Sequence, residues 1–204
     1  MLDNGDFVYL DQALPGVYWD AKYFSRDNFT GRQVDGYEVN RVVGSRALSR
    51  ALQRAQERAR QSNLELLLWD AYRPERAVRF FLNWAAGPED FQTKERHYPR
   101  IDKSRMVELG YLAGRSGHSR GGSVDLTLCC RASGKPLDMG TDFDFMDPRS
   151  HHGAEGISAE AADNRALLRR MMEECGFVAL EEEWWHYSLL QEPYPDTYFD
   201  FPIR

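Results

Sequence analysis

The stretch that most restricts the fold runs from Ser45 to Gln61, where Ala47, Leu48, Ala51, Leu52 and Ala55 recur at helical spacing behind Ser45, a residue suited to capping. Such a helix has one apolar stripe and must lay it on a partner surface. The next apolar run, Leu64 to Trp69, is too short for another helix and reads as a largely buried strand. Asp70-Ala71-Tyr72-Arg73-Pro74 breaks it, and Pro74 can open a helix running to about Ala86, stopped by Gly87-Pro88. A third helix is predicted from near Ser158 to Gly176, with strands over Val124–Cys129, Phe177–Leu180 and Trp184–Leu189. Helices around separated strands, without regular βαβ alternation, predict one α+β domain over residues 1–204: a small, mostly antiparallel sheet flanked by helices.

A chain of 204 residues can build a full core without disulfides or a structural metal, so any metal it carries is free to be catalytic. Lys and Arg number 26 against 32 Asp and Glu, and the net charge of −6 with no basic run argues against nucleic acid as a partner. The cysteines are three, and Cys129 and Cys130 are adjacent, which fits a reducing compartment. Met1 to Asp6 lacks the basic start and apolar stretch of a secretory signal, and no segment approaches the length of a membrane span. The expectation is a cytoplasmic protein without a membrane partner. The oligomeric state stays open, a homo-oligomer included.

Two of the five histidines sit beside carboxylates: His118 in Ser116-Gly117-His118-Ser119-Arg120-Gly121-Gly122-Ser123-Val124-Asp125, and His186 in Glu183-Trp184-Trp185-His186. Gly121 and Gly122 let the chain fold back so that His118 and Asp125 face one point. Two ligands from one loop need a third from elsewhere, and His186 completes a two-histidine, one-carboxylate set that suits catalytic zinc with an open position for water. Glu183 is then the candidate base, close to the metal without being a ligand. In a straight strand, positions i and i+3 face opposite sides, so a turn or kink is predicted between Glu183 and His186, with one tryptophan anchored in the core. Taken singly, a histidine beside a tryptophan pair also reads as a packed side chain, and Glu181-Glu182-Glu183 as a solvated acidic run. Arg73, between a buried strand and a helix start, can be held rigidly to stabilise an oxyanion, or can simply pair with Asp70 or Glu75.

At these residues the chain resembles the VanX-type D-alanyl-D-alanine dipeptidases, zinc metallopeptidases with the fold of hedgehog signalling domains and D,D-carboxypeptidases. The likeness runs from Lys22-Tyr23 and Asp27-Asn28-Phe29-Thr30-Gly31, through Trp69-Asp70-Ala71-Tyr72-Arg73-Pro74, to the His118–Asp125 motif, Asp138-Met139-Gly140 with Phe143-Asp144, and Glu183-Trp184-Trp185-His186. The resemblance implies one zinc ion on His118, Asp125 and His186, Glu183 as general base and acid, and Arg73 steadying a tetrahedral intermediate. It places Tyr23, Ser116 and Asp144 around a small D,D-dipeptide: Asp144 at its ammonium, Ser116 and Tyr23 near its carboxylate. It also implies a small closed cavity that excludes longer peptides. Ser123 stands where the family motif usually has alanine.

Two alternatives share the resemblance: a D,D-carboxypeptidase trimming muropeptide stems, which needs an open groove, and a hedgehog-like zinc module without turnover. His97 and the pair His151-His152 lack neighbours at ligand spacing and are expected at the surface or behind the site. Cys129 and Cys130 are expected to be structural, Asn28-Phe29-Thr30 a capped turn, and the aromatic stretch Tyr194 to Phe201 a tail packed on the body.

Overall fold

A computed structural model describes residues 5–204. The N-terminal stretch read for a leader falls partly on residues 1–4, outside the described residues. The strands are β1 (Phe7–Tyr9), β2 (Tyr18–Trp19), β3 (Val43–Ser45), β4 (Leu64–Asp70), β5 (Ser123–Cys130), β6 (Phe177–Leu180) and β7 (Glu183–Leu189). The helices are α1 (Leu10–Ala13), α2 (Arg46–Gln61), α3 (Glu75–Ala85), α4 (Phe91–His97) and α5 (Ala159–Glu174). Strands β2, β4, β5, β7 and β6 lie in that order in one sheet; only β2–β4 is parallel. β1 and β3 form a separate antiparallel pair. The fold is α+β, as the sequence predicts.

The predicted helices form for the predicted reasons. The Ser45 hydroxyl accepts from the Leu48 N–H and opens α2, and Ser158 does the same for Ala161 in α5. Gly176, just past α5, holds φ at 92°, a conformation that favours glycine. α2 buries Leu48, Ala51, Leu52, Ala55 and Ala59 as one stripe. The β4 and β5 residues Leu66, Leu68, Leu126 and Leu128 are fully buried, each worth about 1.5–3 kcal/mol of transfer free energy. The sequence reading did not include α4. Asp90 caps it by accepting from the Gln92 N–H, but its seven residues carry no apolar period.

Two irregularities in the sheet shape its polar face. Leu68 pairs with Leu126 and Asp70 with Asp125, so Trp69 is an extra residue in β4, and Asp70 takes the position opposite Asp125. On β7, Ala179 pairs with Tyr187 but Leu180 with Glu183, which leaves Trp184, Trp185 and His186 without partners on β6. This is the predicted kink. Both tryptophans are buried, however, rather than one: the bulge turns Trp184 against Trp69 and Trp185 against Phe143.

The remaining local expectations can be placed as well. The Asn28 side chain accepts from the Thr30 N–H and hydroxyl, closing the capped turn. Cys129, Cys130 and Cys175 are free thiols. The aromatic tail packs on the body, Phe201 stacking on Tyr72 and Phe199 edge-on to Phe7. Among the described residues no helix is long and apolar enough to cross a membrane.

Candidate active site

Asp125 and His186 are directly paired residues on β5 and β7, so their side chains share one face of the sheet. His118 reaches the same point from a 3-10 turn, Gly117–Arg120, which Ser116 caps by accepting from the His118 N–H. Gly121 ends that turn at φ 74° and sends the chain back into β5; a side chain there would strike the Phe7 ring. His118 Nε2 lies 3.1 Å from His186 Nδ1 and 3.3 Å from Asp125 Oδ2, and His186 Nδ1 lies 3.0 Å from Asp125 Oδ1. Two ring partners hold the imidazoles from behind. His118 Nδ1 donates to the Ala71 carbonyl at 2.6 Å, and His186 Nε2 meets the Ser188 hydroxyl at 3.3 Å.

These distances bear on whether a metal fits. Bonds of about 2.1 Å to a tetrahedral zinc put neighbouring donor atoms about 3.4 Å apart, close to the three separations found here. The Ala71 carbonyl can only accept, so the His118 proton sits on Nδ1 and the Nε2 lone pair is free for a cation. Two imidazoles and one carboxylate are the donor set zinc takes. The Ser188 hydroxyl is itself 2.8 Å from Ser123 Oγ. The serine that departs from the family pattern thus ends a hydrogen-bond chain leading to His186.

Glu183 and Arg73 face the same cavity, of about 220 Å³, which Tyr23, Ser116 and Asp144 also line. The β7 bulge brings Glu183 Oε2 to 3.8 Å from His186 Nδ1, although the two are three residues apart. Burial lifts the Glu183 carboxyl to about 7, with Asp125 adding to the rise while His186 and Arg73 oppose it. Arg73 pairs with Asp70, one of its sequence readings, and also lines the cavity. Its Nε pairs with Asp70 at 2.9 Å, one amino group reaches Asp125 at 3.3 Å, and the guanidinium lies over the Tyr23 ring. Tyr23 donates its hydroxyl proton to Asp144 at 2.9 Å. Burial and then the charge of Asp125 push the Asp144 carboxyl well above the usual range. Burial opposes ionisation of Asp125 too, but His118 and His186 hold it well below that range.

All eight residues singled out from the sequence therefore converge. The sequence reading treated Asp70 only as an ion-pair partner and did not find Tyr37, whose hydroxyl donates to Asp70 at 2.8 Å and so aims the carboxylate that aims Arg73. No sequence signal marks a lone tyrosine for such a role. His97 is buried rather than at the surface, behind Asp144. His118, Asp125 and His186 form the one histidine-acid cluster at ligand spacing among the described residues.

Histidine, aspartate and histidine at this spacing, with a buried carboxyl and a guanidinium in one cleft, define the site class of a metallohydrolase. The Peptidase_M15 family model, described as D-ala-D-ala dipeptidase, matches residues 3–204, and the chain belongs to this family of peptidases. It is 54% identical to a D-alanyl-D-alanine dipeptidase of Enterococcus faecalis over 99% of this chain and 100% of that one. The identity is 55% with one from Streptomyces coelicolor, over 98% and 99% of the two chains, and 34% with one from Escherichia coli, over 94% and 88%. Among solved structures, the LdcB LD-carboxypeptidase aligns over 93% of this chain and 70% of that one with a TM-score of 0.50 and 13% identity, a likeness of fold alone.

Proposed function

We propose that the protein is a one-domain, zinc-dependent dipeptidase that hydrolyses D-alanyl-D-alanine to two D-alanines, with one zinc ion held by His118, Asp125 and His186. The observation that carries this reading is the cluster in which His118 Nε2 and His186 Nδ1 lie 3.1 Å apart and each meets one oxygen of Asp125 at 3.0–3.3 Å, with Glu183 and Arg73 facing the same cavity. The relatives' dipeptidase activity supports the choice of substrate. So does the cavity volume, below the roughly 300–1,000 Å³ of sites for drug-sized ligands.

Zinc bound there supplies Lewis-acid polarisation and lowers the pKa of water. The protein's own groups do the rest. Glu183 takes a proton from the attacking water as its oxygen bonds to the amide carbon, then passes that proton to the departing amine nitrogen as the C–N bond breaks. Arg73, fixed by Asp70, donates to the carbonyl oxygen as it gains negative charge. Asp144 receives the substrate ammonium, whose charge stabilises the ionised carboxylate that burial otherwise disfavours. Ser116 and Tyr23 lie near the substrate carboxylate. Both charged ends of a dipeptide must be paired before desolvating it is favourable. Three free thiols and the net charge of −6 support a cytoplasmic setting without nucleic acid.

The test compares free D-Ala-D-Ala with a pentapeptide ending in D-Ala-D-Ala, using zinc-loaded protein. Hydrolysis of the free dipeptide and not of the pentapeptide is expected. Preference for the pentapeptide, or zinc binding with no cleavage of either, overturns the proposal.

A further inference from the structure

Asp144 has a φ of 55°, in the left-handed region that few residues other than glycine adopt. Such a conformation persists where the surroundings over-determine it. Here the surroundings are specific. The Asp144 carbonyl lies 3.2 Å from His97 Nδ1, and two residues on, the Met146 N–H donates to the His97 carbonyl at 2.7 Å. His97 is the last residue of α4 and is 3% exposed. Its neighbour Arg96 holds Asp142 at 3.0 Å from outside, while the Phe143 ring packs on Trp69 and Trp185. The segment that carries Asp144 is thus hung on the end of α4, with two of its polar attachments made by His97, while Tyr23 holds the Asp144 carboxyl and Ser150 the Phe145 carbonyl.

A carbonyl can only accept, so His97 must carry its proton on Nδ1. Burial, followed by the nearby Arg96 charge, pushes its pKa down to about 4, so the ring is neutral near pH 7 and has one N–H to give.

We propose that His97 is a positioning residue for substrate affinity, its ring and main chain together holding Asp144 in the left-handed conformation that aims the carboxylate at the substrate ammonium. The inference rests on the assignment of Asp144 to that ammonium. The contact is made equally in the bound substrate and in the transition state, so its loss raises KM and leaves kcat in place.

His97→Phe keeps the ring volume and removes the donor, while His97→Asn offers a side-chain N–H close to the place of Nδ1. With D-Ala-D-Ala as substrate, His97→Phe is expected to raise KM about tenfold with kcat within about twofold, and His97→Asn to restore most of the affinity. An unchanged KM in His97→Phe, or a fall in kcat alone, overturns the inference. Asp144→Asn is measured beside them: if it leaves KM unchanged, the ammonium assignment itself fails, whereas a raised KM there with an unaffected His97→Phe sinks only the role of His97. The unmodified protein supplies a check that does not depend on a variant folding. Nitrogen-15 spectra of its histidines at pH 7 are expected to show His97 neutral and protonated at Nδ1, and a proton at Nε2 would overturn the proposal.

Discussion

On one face of β4 and β5, Leu66, Leu68, Leu126 and Leu128 are fully buried; on the other, the same strands bury Asp70 and Asp125 just as deeply. The first face needs only hydrophobes of suitable volume, because the effect that stabilises it has no direction. The second survives because every charge has a named partner: Asp70 has Arg73 and the Tyr37 hydroxyl, and Asp125 has His118, His186 and Arg73. Leaving one such group unpaired is costly. Two sides of one sheet thus divide the labour, stability on one and chemistry on the other, and substitutions should separate them.

The largest separation is expected at Glu183. Glu183→Gln should lower kcat by about 10³-fold, the range for a general acid-base group, with zinc content and thermal stability unchanged; a variant that also loses zinc would make Glu183 a ligand and blur the division. Leu126→Ala on the opposite face should do the reverse. Chemical denaturation is expected to show a loss of about 3 kcal/mol, while kcat/KM of the folded protein stays within twofold.

Titration offers a third contrast, read at His97 on the end of α4 behind Asp144. Between about pH 6.5 and pH 4 the unfolded chain accepts a proton on His97 that the folded protein refuses, so stability falls as pH drops through that window and rises with pH across it. Comparing the denaturation of wild type with His97→Asn, the advantage of the histidine protein should grow with pH from 4 to 6.5 by at most about 3 kcal/mol. No difference in slope would mean that the ring is charged in the folded state. Arg73→Lys should cost about 30-fold in kcat, because a single ammonium cannot hold Asp70 and Asp125 and still present a donor to the carbonyl oxygen; an equal loss in KM instead would assign Arg73 to binding. The smallest effect is expected at Ser123→Ala, which shortens the chain through Ser188 to His186 and should weaken zinc affinity about tenfold in a chelator competition without changing kcat at saturating zinc.

The apolar face was largely legible in the sequence, because helical periodicity and the Ser45 and Ser158 caps are local properties. Much of the polar face was legible for a different reason: His118, Asp125, Glu183 and His186 sit in short motifs, and the impossibility of Glu183 and His186 sharing a face in a straight strand foretold the β7 bulge. The bulge at Trp69 could not be foreseen, since Leu64 to Trp69 is apolar almost throughout and gives no alternation from which to read a register slip. Asp144 was reached only through resemblance, its left-handed backbone being invisible in Phe143-Asp144-Phe145. Tyr37 and His97 act through partners 33 and 47 residues away, and no local pattern encodes such pairings.

The most direct test is metal analysis of the purified protein before and after chelation, with D-Ala-D-Ala hydrolysis followed on the same samples and on His118→Ala and His186→Ala. One zinc per chain, activity lost with the metal and regained on adding it back, and no tightly held zinc in either variant are the results expected. Full hydrolysis by metal-free protein, or zinc retained at one per chain in both variants, would contradict the account.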